Sequence, residues 1–270
     1  MRIQVILSSL LLASLPALAL DEKPLIEQGG MEFGLRLGFD GTYQMLDDSW
    51  NFHDATSPSA PIAYTSEASF KYGMNDKSDL EVTMPWAFHD KDYASLENRT
   101  ASYGGFDRIQ LAAKIGLAKS GAGLVAGFYF PLGHEKIVGF NPEWGFTLGA
   151  FGGYKKGIWW ADGLTTWSTT PQNSSGFQPG DQTQLLSRGG LQLDQGVAPN
   201  LALVYNLLGS PTQNGKTTGS TVQKITAIPG CLLQLDEDWT LDVRLPVVVA
   251  GANVHASAGL SVGIVGYFEP

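Results

Sequence analysis

Histidines are the residues of this chain best suited to acid–base chemistry or metal binding, and their spacing favours neither. His53, His89 and His134 fall in long polar stretches, and His255 stands near the start of an apolar segment at the end of the chain. No HExxH or comparable metal-binding spacing surrounds them. We therefore predict exposed loop histidines and no metal site.

His255 and Ser257 lie two residues apart, so they would share one face of a β-strand and could pair as base and nucleophile. No supporting constellation can be assigned around them from the sequence. A lipid hydrolase is therefore the least favoured hypothesis, and replacing Ser257 with alanine would test it. We predict that the chain is not an enzyme and has no catalytic residues.

Acidic and sulfur-containing residues also give no sign of a cofactor site. The carboxylates cluster at Asp47–Asp48, at Asp90 and Asp92, and at 236–238, without the fixed steps of a calcium loop. Cys231 is the one cysteine, so an exported chain would have no internal disulfide. It stands in an apolar run, which predicts a buried, inert thiol. No cofactor is expected.

The composition excludes several classes of protein. The chain has 270 residues, of which 43% are hydrophobic and 16% charged, and it contains 33 glycines. After residue 20 no apolar run is long enough for a transmembrane helix, and the glycines lack the period of collagen. The remaining class is an all-β chain rich in glycine and aromatic residues.

The first 19 residues have the pattern of a signal peptide. Arg2 is followed by an apolar stretch and then by Pro16 and an Ala-x-Ala site, so cleavage is expected after Ala19. Residues 20–30 would then form a polar periplasmic lead-in. Removing Arg2 leaves 16 basic and 26 acidic residues, a formal net charge of −10. This charge disfavours nucleic acid as a partner.

Period-two alternation predicts β-strands with one apolar and one polar face. In residues 31–40, phenylalanine and leucine alternate with Glu32, Arg36, Asp40 and two glycines. The same pattern recurs in 78–86 and 106–117. Glycines and charges suit a hydrated lumen better than the core of a soluble sandwich. The pattern therefore predicts strands with lipid on one side and water on the other.

About twelve strands are predicted, and the connections between them alternate in length. The strands are 31–45, 62–72, 78–87, 106–117, 123–132, 143–154, 158–168, 189–197, 201–208, 222–235, 240–250 and 254–268. Long polar connections are predicted at 46–61, 88–105, 133–142, 169–188 and 209–221. Short turns are predicted near 73–77, 119–122, 155–157, 198–200 and 236–238. This alternation is typical of a transmembrane antiparallel up-and-down β-barrel, here spanning 31–268, with both termini in the periplasm.

Aromatic residues near strand ends predict belts at the two membrane interfaces. Trp159, Trp160 and Tyr154 belong to this set. Tyr267 and Phe268 supply the aromatic ending that the barrel-insertion machinery reads, although Glu269 and Pro270 follow them.

The polar faces of the predicted strands carry charges of both signs. Charges inside a barrel are tolerated when they are hydrated or paired, so they either line a wet pore or form a cross-strand ladder that closes it. The sequence leaves both alternatives open. The predicted lumen-lining residues are Glu32, Arg36, Asp79, Glu81, Arg108, Lys114, Asp194, Asp242 and Arg244.

Three segments resemble a family of Gram-negative outer-membrane barrels. Residues 71–86, 104–117 and 123–134 are similar to the strand-and-turn succession of the family named after the MetA pathway of phenol degradation, whose members are described as transporters. Phe106 separates Gly105 from Asp107, where the family has a direct Gly-Asp pair. The resemblance implies a porin-like barrel that passes small solutes, hydrophobic ones among them, and it implies no catalytic residues.

Two functions remain after the hydrolase. The first is passive passage of small solutes through the lumen; the second is a plugged barrel with a structural or surface-adhesive role. Either protein would lie in the outer membrane and contact outer-membrane lipid and lipopolysaccharide.

Overall fold

The computed structural model describes residues 25–54, 62–89, 103–106, 108–117, 121–131, 144–174, 176–193 and 196–269. Twelve strands account for most of them. They are β1 (Met31–Leu46), β2 (Ile62–Asn75), β3 (Ser78–His89), β4 (Tyr103–Phe106 and Arg108–Gly116), β5 (Gly123–Pro131), β6 (Gly145–Lys156), β7 (Trp159–Thr169), β8 (Gln182–Leu191), β9 (Val197–Leu208), β10 (Val222–Gln234), β11 (Trp239–Arg244 and Val247–Ala252) and β12 (Val254–Phe268).

The strands form a closed antiparallel barrel. Each strand pairs with its neighbours in the chain, and β12 pairs with β1 from Met31 opposite Phe268 to Leu46 opposite Val254. Closure pairs the first strand with the last, so neither of these two strands has an open edge in the lipid. The predicted fold class and the strand count of twelve are confirmed. Among the described residues, no helix is long and apolar enough to cross a membrane.

The alternation in the sequence becomes an outer and an inner face. On β1, Phe33, Leu35, Leu37 and Phe39 are exposed on the outside, whereas Glu32 is buried inside. Successive side chains of a strand point to opposite faces, so a run of alternating residues places all its apolar members against lipid.

The connections alternate in length as the sequence predicts. Short ones join β2 to β3, β4 to β5, β6 to β7, β8 to β9 and β10 to β11, and long ones join the other pairs up to β10. The exception is the last connection, where Asn253 alone joins β11 to β12 and adopts a positive φ of 56°. Three of the long connections carry short strands. Phe52–Asp54 pairs with the end of β1, whereas Phe177–Gln178, Thr212–Gln213 and Lys216–Thr217 pair with one another.

The predicted placement of β8 and β9 was wrong. β8 spans Gln182–Leu191 rather than 189–197, so part of the predicted loop 169–188 belongs to the barrel wall. The predicted turn at 198–200 lies inside β9, where Pro199 stands opposite Cys231. The connection consists of 192–196, with Gly196 at a φ of 70°.

Residues 25–30 fold back against the end of the barrel that carries the short turns. Gly29 donates a backbone hydrogen bond to Gly73, and Gly73 donates one to Gly30. The Ile26 backbone N–H donates to Asp79 Oδ2 at 3.4 Å, and the Ile26 side chain is buried. This segment therefore covers part of the periplasmic mouth. The predicted signal peptide lies outside the described residues.

Candidate functional site

The barrel interior is the candidate functional site, because ionisable side chains converge there from distant parts of the chain. The Lys71 ammonium lies 2.8 Å from the Glu32 carboxylate, and the Lys114 ammonium lies 3.2 Å from the Glu81 carboxylate. All four side chains are buried. Each pair joins neighbouring strands, β1 with β2 and β3 with β4, so the pairs cross-link adjacent strands on the inner face of the barrel.

A larger cluster, the ion-pair cluster, consists of Arg36, Glu67, Asp242 and Arg244. The Arg36 guanidinium contacts Asp242 Oδ2 at 2.8 Å and Glu67 Oε1 at 3.4 Å. Arg244 donates to the same Asp242 carboxylate through Nε, at 3.0 Å, and through Nη2. One aspartate therefore receives charge-assisted hydrogen bonds from two arginines, which fixes both guanidinium groups inside the lumen.

Arg188 forms a further pair on the opposite side of the barrel. Its Nη2 lies 2.7 Å from Asp162 Oδ2, and its Nε donates to the same oxygen at 3.2 Å. The guanidinium carbon also lies 4.6 Å from the centre of the Trp160 ring, within the range of a cation–π contact. Trp160 is buried, so its predicted place in an aromatic belt was wrong.

The structure brings most of the predicted polar-face residues together. Glu32, Arg36, Glu81, Lys114, Asp242 and Arg244 take part in the ion pairs, and Asp79 is buried beside Ile26. Arg108 begins the second segment of β4, but its side chain lies outside the described part of the chain, as does the whole of Asp194. The sequence interpretation missed their partners Glu67 and Lys71, and also the separate Arg188–Asp162 pair.

An apolar patch occupies the other part of the lumen wall. It consists of inward-facing side chains from six consecutive strands, and Leu25 of the N-terminal segment packs against it. We call it the apolar sector; its buried members are Ala112, Val125, Phe151, Leu164, Leu186 and Val204. The lumen is therefore amphipathic: it carries both ion pairs and an apolar sector, and β4, β7 and β8 contribute to both.

Two cavities lie on the two sides of the ion-pair cluster. The periplasmic cavity has a volume of about 230 Å³ and is lined by Ile26, Arg188, Gln192 and Tyr267, with Arg36, Asp242 and Arg244 at its boundary. The extracellular cavity has a volume of about 180 Å³. Its lining residues include Asp40, Asn206, Lys224 and Ser257. A solute that crossed the barrel along its axis would pass this cluster.

The pair that could have formed a hydrolytic dyad does not assemble. Among the described residues, neither ring nitrogen of His255 has a hydrogen-bond partner, and the Ser257 hydroxyl interacts instead with Asp40. Residues 259–263 have the Gly-x-Ser-x-Gly spacing of a nucleophile elbow, but they lie within β12 rather than at a strand-to-helix turn.

Comparisons with solved structures place this barrel among those of outer membranes. A COG4313 outer-membrane channel from Pseudomonas putida F1 superposes with a TM-score of 0.74 at 14% identity, over 93% of this chain and 100% of that one. The chain has the fold of an outer-membrane β-barrel. The CymD monoaromatic hydrocarbon channel matches with a TM-score of 0.51 at 9% identity, over 91% of this chain and 90% of that one.

The barrel is also similar to a domain of an autotransporter. The translocator domain of the autotransporter NalP from Neisseria meningitidis matches with a TM-score of 0.51 at 14% identity, over 90% of each chain. No family model and no curated protein matches the sequence. The likeness is one of fold, so the function has to be argued from the lumen.

Proposed function

We propose that this protein is a porin-like channel for passive passage of small solutes, with a preference for those that combine an apolar body and a polar group. The amphipathic lumen carries this proposal. A barrel closed by ion pairs alone would not need an apolar sector running over six strands. A solute with an aromatic ring and a polar group could contact both the apolar sector and the ion pairs.

The mixed charges lining the lumen determine which solutes pass. The cation and anion side chains are paired, so the lumen offers neither sign of ion a strongly charged path. The resemblance to the phenol-degradation family and the likeness to a channel fold support passage rather than hydrolysis.

A plugged barrel with a structural or surface role is the second candidate. It is favoured by the deep burial of the Lys71–Glu32 and Lys114–Glu81 pairs, since buried ion pairs can close a lumen permanently. The two candidates differ in whether any solute crosses a bilayer that contains the folded protein.

Solute flux into liposomes distinguishes the two candidates. The chain without its predicted signal peptide is refolded into liposomes, and entry of a nitrophenyl glycoside is compared with entry of a disaccharide of similar size. Passage predicts that both enter faster than into empty liposomes and that the aromatic glycoside is the faster. No flux of either solute, with folding confirmed by a heat-dependent shift in gel migration, would establish the plugged barrel.

A matched pair of substitutions assigns the preference to the lumen. Phe151 belongs to the apolar sector, and Phe128 is exposed on the outer face. Phe151→Ala is expected to reduce the ratio of aromatic to disaccharide flux, because it removes an apolar contact from the lumen. Phe128→Ala should leave the ratio unchanged.

A further inference from the structure

The barrel wall contains a seam between β11 and β12 at the end that carries the long connections. From Trp239 to Arg244, β11 pairs continuously with β12, but beyond Pro246 the pairing ends with Val247 opposite Ala258. The rest of β11 pairs only with β10, and the start of β12 pairs with β1. We call this interruption, between 248–252 and 254–257, the lateral seam.

Three local irregularities produce the seam. Pro246 has no N–H to donate to β12, although its carbonyl still accepts from Gly259. On the β10 side the register shifts between Ile225 and Thr226, and on the β1 side it shifts between Thr42 and Gln44. Bulges increase the bend of a strand, and both of these lie on strands that flank the seam.

Side chains hold the seam closed in place of the backbone ladder. Six buried residues from β1, β9, β10, β11 and β12 pack there as an apolar cluster: Leu46, Leu208, Val222, Val248, Val254 and Ala256. The Tyr43 hydroxyl also donates to the Val248 carbonyl at 3.0 Å. Parting the seam would break this one hydrogen bond and some apolar contacts, but no ladder hydrogen bonds between β11 and β12.

The seam separates the extracellular cavity from the membrane side of the barrel. Pro246, Val248 and Ser257 line the cavity from the inside. On the outside, Val249 and Tyr43 are exposed. An apolar solute in this cavity would thus have hydrocarbon contacts on one side and the ion-pair cluster below it. A solute moving through the seam exchanges apolar contacts in the cavity for the hydrocarbon of the membrane, whereas a solute moving down the axis meets the charged side chains of the ion-pair cluster.

We propose that the lateral seam is an exit through which small apolar solutes pass between the extracellular cavity and the outer leaflet of the membrane. This inference rests on the proposed function, since it names the route taken by the apolar members of the solute class. Solutes with polar groups use the axial route past the ion-pair cluster. The barrel thereby has two outlets with different chemical selectivity.

Thiol labelling from the bilayer tests this route. In a Cys231→Ser background, single cysteines are introduced by Ser257→Cys at the seam and Thr65→Cys on β2. Both positions line the extracellular cavity and are partly buried. In liposomes, each variant is labelled with pyrene maleimide dissolved in the bilayer and with a charged, water-soluble maleimide. A heat-dependent shift in gel migration verifies that each variant is folded.

The ratio of bilayer to aqueous labelling rates is the readout. The seam predicts a ratio at position 257 about tenfold or more above that at position 65, because local opening exposes only position 257 to the bilayer. Equal ratios at the two positions would overturn the proposal. The labelling ratio does not depend on solute flux. Equal ratios would therefore exclude the lateral exit without excluding axial passage. Conversely, a lack of flux through the lumen would not change what the labelling ratio shows about the seam.

Discussion

The Arg36 guanidinium on β1 lies 2.8 Å from the Asp242 carboxylate on β11, although β12 runs between the two strands. Gly263 of β12 stands in register with both residues. A Cβ atom at this glycine would lie 3.4 Å from Arg36 Nε, so the missing side chain leaves room for the guanidinium to cross β12. The ion-pair cluster therefore depends on a glycine in the intervening strand.

Gly263→Leu is expected to separate Arg36 from Asp242. A leucine side chain would occupy the path of the guanidinium and leave Asp242 with Arg244 alone, which should reduce the free energy of unfolding by about 3 kcal/mol. Gly263→Ala is the matched control, because its Cβ makes only ordinary van der Waals contact. Urea unfolding in lipid vesicles measures both. Equal stability of the two variants would contradict this role of Gly263.

Asp242→Asn should turn the lumen towards anion selectivity. The substitution keeps the shape of the side chain but leaves the charges of Arg36 and Arg244 less compensated, so anions are attracted to the cluster. The reversal potential under a potassium chloride gradient reports the change. Asp76→Asn, in the exposed turn between β2 and β3, is the control and should leave the potential unchanged. A shift of the same size in both variants would place the selectivity outside the lumen.

Lys71→Met should destabilise the barrel more than the double variant Lys71→Met/Glu32→Gln. The single change leaves the Glu32 carboxylate buried without its ammonium partner, which costs about 3–5 kcal/mol for a buried pair. Neutralising both partners removes that penalty. A double-mutant cycle of unfolding free energies measures the coupling. Additive effects would show that the two residues contribute independently.

Replacing Leu25 and Ile26 with serine should raise the conductance of the channel. Leu25 packs on the apolar sector and Ile26 lines the periplasmic cavity, so their apolar contacts hold the N-terminal segment across the mouth. Conductance in planar bilayers is the measurement. Leu117→Ser, an exposed position at the same end of the barrel, should have no effect. Unchanged conductance in the double serine variant would exclude the N-terminal segment as a constriction.

The fold could be predicted from the sequence because alternation is a local property. Residues 31–40, 78–86 and 108–117 each place large apolar side chains on one face and charges or glycines on the other, so their orientation follows from spacing alone. Most of β8 was not predicted because its residues lack this alternation. Its outer face includes Thr183 and Ser187, and its inner face includes Leu186, so the contrast between the faces is lost.

The ion pairs could not be predicted, because they depend on register and curvature. Arg36 and Asp242 are separated by 206 positions in the chain and meet across a third strand. Arg188 was assigned to a loop. Glu67 and Lys71 lie on β2, whose inner face also carries small residues. The apolar sector was missed as well, since inward apolar residues such as Val125 and Leu164 look like ordinary core residues in a sequence.

Current recording from single barrels tests whether solutes pass through the lumen. The refolded protein is inserted into a planar lipid bilayer at low protein density, and the current is followed under a constant voltage. If the lumen conducts, the ionic current should rise in discrete steps, and the size of the steps should change when Asp242→Asn alters the ion-pair cluster. A folded, inserted protein that produces no steps, and none after the cluster is altered, would contradict the account and leave a structural barrel.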